Sequence, residues 1–189
     1  MSKPIVMRTR LQRGFTLVEL LIVVIILAIL AAIVIPQFSS ATTDTREAAL
    51  DSNLGGLRNA IELYKAQHIT YAGAVATTGG ACAATKGTGA INSAQALMDH
   101  LLMYSDASGN TCTVGDTTTF KYGPYIRKGM PNDAITGKGS VAADVVMTTT
   151  GAPIAPAAAT GGWAYDVKSG QIVMNSNATD SKSVAYSTH

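Results

Sequence analysis

Glu19 is the residue whose chemistry stands out first. From Phe15 to Ile35, in the stretch RGFTLVELLIVVIILAILAAIVIP (13–36), only Thr16 and Glu19 are polar. A carboxylate at membrane depth costs on the order of 3 kcal/mol on insertion scales and marks a function by default. From the residues alone, Glu19 sits about one turn from the helix start and could snorkel to the headgroups. Cys82 and Cys112 are the second pair able to do chemistry. Their spacing fits no zinc or haem signature. Outside the cytoplasm they could form a disulfide. The closed loop of about 30 residues would contribute roughly 3–4 kcal/mol in the chain-entropy model. Two reduced, buried thiols are the alternative. The chain contains no G-x-S-x-G, H-E-x-x-H or P-loop, and no Cys/His pairing at catalytic spacing, so it does not read as an enzyme. His68, His100 and His189 have no partners at metal spacing; no metal site is assigned, and His100 is expected to be exposed or hydrogen-bonded.

The elements that position these residues follow from composition. At ~1.5 Å per residue, a helix over the apolar run spans about 30 Å, one hydrocarbon thickness. Its many Val and Ile residues are no obstacle in lipid, where backbone hydrogen bonds must close within the helix. Lys3, Arg8, Arg10 and Arg13 precede it. They should stay cytoplasmic and leave the C-terminal part outside. They also carry the whole basic excess: the net charge is +2, yet without these four, ten basic residues face twelve acidic ones. No basic stripe remains for phosphate backbones, so nucleic acid is not an expected partner. A secretory signal peptide has a shorter apolar core followed by a small-residue cleavage site. Here the helical pattern continues past Ala31 and Ala32, and the other small residue, Gly14, precedes the run. Pro36 cannot donate a hydrogen bond and its ring clashes with the carbonyl of Ala32, which predicts a kink.

Beyond the proline, Leu50, Leu54, Leu57, Ile61 and Tyr64 recur at spacings of four and three. That is one apolar stripe on a polar helix, positioned to pack against a distal domain. Arg58 and Glu62 are spaced for a weak ion pair. Gly55 and Gly56 either admit a close neighbour or simply weaken the helix. Residues 69–90 read as an irregular connector. A short helix should follow, with Asn92 or Ser93 as N-cap and Ala94, Leu97, Met98, Leu101 and Leu102 on its inner face. WAYDVKSGQIVMN alternates around Lys168-Ser169-Gly170 and reads as a hairpin, with VAADVVMTTTG as an earlier strand. The fold class is α+β: a long N-terminal helix, membrane-spanning in its first half, packed on a small antiparallel sheet. The expected organisation is a leader over 1–14, an anchor helix over 15–36, its amphipathic continuation over 37–68, and a small domain over 69–189.

Arg13-Gly14-Phe15-Thr16-Leu17-Val18-Glu19 resembles the class III signal of type IV pilins and type II secretion pseudopilins. The match runs to Pro36 and more loosely to His68. Gly123-Pro124-Tyr125 with Met130-Pro131-Asn132-Asp133 is similar to a segment of major, G-type pseudopilins, with Ala134 where that pattern has a second proline. The resemblance implies cleavage between Gly14 and Phe15 by a prepilin peptidase and methylation of the new N-terminal Phe15. It implies assembly through Phe15, Glu19 and Pro36. The new amine would pair with Glu19 of its own or a neighbouring chain, and the helix near Pro36 would extend or melt on packing. The implied function is a structural subunit of a type II secretion pseudopilus supporting protein export. A major or minor type IV pilus subunit (adhesion, motility, DNA uptake) is the alternative, ahead of an anchored enzyme or binding module. Implied partners are further copies of the chain in a filament, other pilins or pseudopilins, the peptidase, an inner-membrane assembly platform, and lipid before assembly. The implied location is a single pass through the bacterial inner membrane with a periplasmic C-terminal domain, then a periplasmic or extracellular filament. No cofactor is expected. Major pseudopilins often hold calcium near the C-terminus; Asn175, Asn177 and Asp180 offer oxygen atoms here, but the glycine- and acid-rich loop is missing.

Overall fold

The computed structural model describes residues 14–189. Lys3, Arg8, Arg10 and Arg13 of the leader lie outside the described residues, as do the side chains of Ile35, Pro36 and Ser39. The chain divides into two compact units at the boundary between Thr42 and Thr43. Helix α1 (Leu17–His68) contributes to both, and its assignment continues without a break through position 36.

In the first unit, the stretch Leu17–Val34 is long and apolar enough to cross a membrane, and none of it is buried within the protein. Leu17 is 82% exposed, and Ile22, Ile26 and Leu30 each stay above one half. Among the described residues, this apolar helix has no partner on any face, as suits a surface covered by lipid or by another chain. Towards its end, the Ser40 and Thr42 hydroxyls donate back to the carbonyls of Gln37 and Phe38.

The second unit is built around the leucine stripe. Leu50, Leu54, Leu57, Ile61 and Tyr64 are essentially fully buried. They pack with Leu97 and Leu101 of α2 (Ala94–Leu102) and with Trp163, Tyr165, Ile172 and Met174 of the sheet. Ser93 caps α2 by accepting the Ala96 N–H. A two-stranded antiparallel ladder pairs β1 (Tyr104–Ser105) with β2 (Thr111–Cys112). The main sheet has the order β3 (Val145–Thr148), β4 (Trp163–Asp166), β5 (Ile172–Met174). The β4–β5 hairpin is antiparallel, with Trp163 opposite Met174 and Tyr165 opposite Ile172. Gly170, at φ 73°, turns the chain between these strands. β3 lies parallel to β4, so this sheet is mixed and not wholly antiparallel. The reason is the chain between Thr148 and Trp163, which is long enough to carry β4 back to the same end as β3.

Two local expectations change. Arg58 forms no ion pair with Glu62 among the described residues; its guanidinium instead donates to the carbonyls of Ile172 and His189. A Cβ added at Gly55 or Gly56 would meet nothing within 4 Å, so among the described residues no segment uses the space they leave, one of the two readings open from sequence.

Candidate functional site

The head of α1 concentrates the residues of interest. The helix begins at Leu17, and Thr16 stands immediately before it. The Glu19 N–H donates to Thr16 Oγ1 at 3.2 Å. Glu19 Oε2 accepts the Thr16 N–H and the Thr16 hydroxyl, both at 2.9 Å. This reciprocal arrangement is a capping box, which satisfies donors that the first turn of a helix leaves unpaired. The negative charge also lies at the positive end of the helix dipole. Thr16-Leu17-Val18-Glu19 carries the T-x-x-E spacing of such a box. From sequence, Glu19 was weighed as a snorkelling acid or as the partner of a new amine, and this capping signal was missed.

At the Gly14–Phe15 bond, Phe15 is 88% exposed, and a Cβ added at Gly14 would meet nothing within 4 Å among the described residues. Glu19 Oε2 already holds the amide of residue 16, one position from the nitrogen that scission there would turn into an amine. Pro36 lies in the same helix, further along its axis; its ring is outside the described side chains.

The remaining candidates lie in the second unit. Cys82 and Cys112 are joined, with Cα atoms 5.5 Å apart. The bridge ties the connector to β2, beside the pairing of Lys86 with Cys112. His100 is fully buried on α2. Its Nδ1 accepts the Gly73 N–H at 2.8 Å, and its Nε2 lies 2.8 Å from the Gly109 carbonyl. Those partners fix the neutral tautomer with the proton on Nε2. Burial pushes the His100 pKa down to about 4, against the opposing pull of the Gly109 carbonyl. His68 stacks on Tyr64 with ring centroids 4.1 Å apart, and Ser105 and Tyr122 lie around it. Both histidines thus brace loops against the helix.

The sequence reading missed a set of buried aspartates. Asp99 accepts the Thr88 and Gly89 N–H groups and the Thr77 hydroxyl. Asp133 accepts from Ile135, Thr136 and Gly162. Asp166 gathers the Thr150, Gly151, Lys168 and Ser169 N–H groups. Burial raises the pKa of Asp166, but the backbone donors of Ser169 and Gly151 and the hydroxyls of Thr148 and Ser169 outweigh it and hold the carboxyl far below its usual range. These carboxylates replace secondary structure as the organisers of a loop-rich domain. The Asn177 amide donates to the Ala157 carbonyl, and Asp180 Oδ1 accepts the Lys182 and Val184 N–H groups. Among the described residues, no group of three or more His, Cys, Asp or Glu side chains is placed to hold a metal ion.

An uncovered apolar helix headed by the Thr16–Glu19 capping box, followed by a small α+β unit, is a pilin-like arrangement. Residues 9–35 match the family model described as the prokaryotic N-terminal methylation motif. The chain is 37% identical over 65 residues to the type II secretion system core protein G of Pseudomonas aeruginosa, covering 34% of this chain and 46% of that protein. It is 35% identical over 65 residues to the core protein G of Aeromonas hydrophila, with the same coverage. It is 50% identical over 52 residues to the type IV major fimbrial protein FimA of Dichelobacter nodosus, covering 28% of this chain and 33% of that protein. The match thus spans at most about half the length of these curated relatives. No solved structure matches the chain. Over its N-terminal third, the chain is thus similar to pilins and pseudopilins.

Proposed function

We propose that this protein is a structural subunit of a type II secretion pseudopilus, polymerising through α1 in support of protein export. The observation that carries this reading is the uncovered apolar helix Leu17–Val34 directly behind Gly14-Phe15-Thr16 and capped by Glu19. Before assembly the helix lies in the bacterial inner membrane with the 43–189 unit on the periplasmic side. A prepilin peptidase cuts after Gly14, and Phe15 becomes a methylated N-terminus. The positive amine then stands within reach of the carboxylate that holds the Thr16 amide. Its own Glu19, or that of the next subunit, neutralises it. The pair sets register between helices whose apolar faces cover one another. The likeness to core protein G favours secretion. A type IV pilus subunit is the second reading, supported by the higher identity to the fimbrial protein FimA.

The test uses two variants of the full chain. Replacing Gly14 by a bulky residue should leave the leader attached, and normal processing would refute the cut site. Glu19→Ala should insert into the membrane but lower filament yield by roughly tenfold or more, given a charge pair worth several kcal/mol at membrane depth. A wild-type yield from Glu19→Ala would remove the pairing from the account.

A further inference from the structure

Two clefts flank the buried stripe of the 43–189 unit, and their charges are opposite. The first, of about 390 Å³, runs along Ser52, Gly56 and Leu57 of α1 and is walled by the loop from Tyr125 to Pro131. Leu57 and Ile126 give it an apolar floor. Its rim carries Arg127 and Lys128, both exposed, and neither enters an ion pair among the described residues. The bare backbone of Gly56 opens onto it. The second cleft, of about 290 Å³, runs along Asp44, Ala48 and Asp51 and is walled by Asp180, Lys182 and His189. Three aspartates and the buried Glu47 face one lysine there. Glu47 is already used by the Ser181 N–H and hydroxyl. His189 Nδ1 lies 2.7 Å from Asp51, and Asp44 is exposed at the cleft edge.

Helix geometry relates the two. At ~100° per residue, their α1 walls lie roughly 160° apart around the axis, one on each side of the leucine stripe. At ~1.5 Å per residue, the centres of the segments 44–51 and 52–57 lie roughly 10 Å apart along it. We propose that the clefts are the two halves of one contact between copies of this chain. The rim at Arg127 and Lys128 of one copy seats on the aspartate cleft at Asp44 of the next, with parallel helices staggered by about 10 Å. Complementary charge fixes that register and disfavours alignment without stagger. A contact whose halves lie on opposite flanks, with a shift along the axis, is heterologous and does not close on itself. It repeats into an open helical assembly. The inference rests on reading the chain as a filament subunit, and it names the surface by which the 43–189 units recognise one another.

The chain has only two cysteines, already joined, so introduced thiols have no competitors. The full-length chain carrying both Asp44→Cys and Lys128→Cys, oxidised in cells with its own assembly partners, should give a ladder of covalent multimers. Either single variant should stay monomeric. Normal filaments without a ladder would overturn the contact and leave the subunit reading intact; no filaments from the unmodified chain would overturn both. Arg127→Glu with Lys128→Glu should lower filament yield by roughly tenfold or more, because like charges then face one another. Adding Asp44→Lys should recover most of the yield. No initial loss, or no recovery, counts against the contact.

Discussion

Acid should loosen the 43–189 unit through His100, and by a calculable amount. The folded state holds this imidazole neutral: burial excludes water and lowers its pKa from 6.5 to about 4, and its Nδ1 accepts from Gly73. A base with a depressed folded pKa stabilises the fold fully above its unfolded value. That stability is lost as pH drops from about 6.5 through about 4, because the unfolded chain takes the proton first. At ~1.36 kcal/mol per unit, the shift corresponds to about 3 kcal/mol in total, of which about 2 kcal/mol is gone by pH 5. Protonation would also turn Nδ1 into a donor facing the Gly73 N–H, which removes a buried hydrogen bond. The assay is urea unfolding of the detergent-solubilised chain at pH 7.5 and pH 5, beside His100→Gln, which cannot titrate. Burial also lowers the pKa of His68, against the carbonyls of Tyr64 and Asp106, and that titration is present in both proteins. His100→Gln is expected to be less stable at pH 7.5 and to lose about 2 kcal/mol less on acidification. Parallel losses in the two proteins would refute the reasoning.

The rest of the second unit offers two sharper perturbations. Reducing the Cys82–Cys112 bridge, with 30 residues of separation, should lower stability by roughly 3 kcal/mol, read as a shift in the urea midpoint; an unmoved midpoint would mean that the bridge constrains nothing in the unfolded chain. Gly170→Ala should destabilise by roughly 1–3 kcal/mol, because the position has φ 73° and a Cβ would stand 2.3 Å from the Tyr71 ring. An unchanged melting temperature would show that the hairpin turn adapts without strain.

Much of this fold was legible because its signals are local. The stripe from Leu50 to Tyr64 announces itself by spacing, and each member is buried. The hairpin around Gly170 follows from alternation and one turn residue. The parallel pairing of β3 with β4 was not legible, since the direction of a strand partner depends on the path of the intervening chain. His100 was expected to be exposed or hydrogen-bonded, and it is hydrogen-bonded; its particular partners and the roles of the aspartates at 99, 133 and 166 were not legible, for a related reason. Their partners are backbone N–H and carbonyl groups of loops, which every sequence contains and none advertises. At the anchor the case is different. The apolar run was plain from the residues, and the capping box of Thr16 and Glu19 could have been read from its spacing.

The proposed filament role requires a new N-terminus at Phe15. Intact-mass measurement of the chain recovered from sheared filaments tests this most directly. A single species beginning at Phe15 and carrying one added methyl group is the expected result. Filaments built from a chain that still carries residues 1–14 would contradict the pairing of a new amine with Glu19.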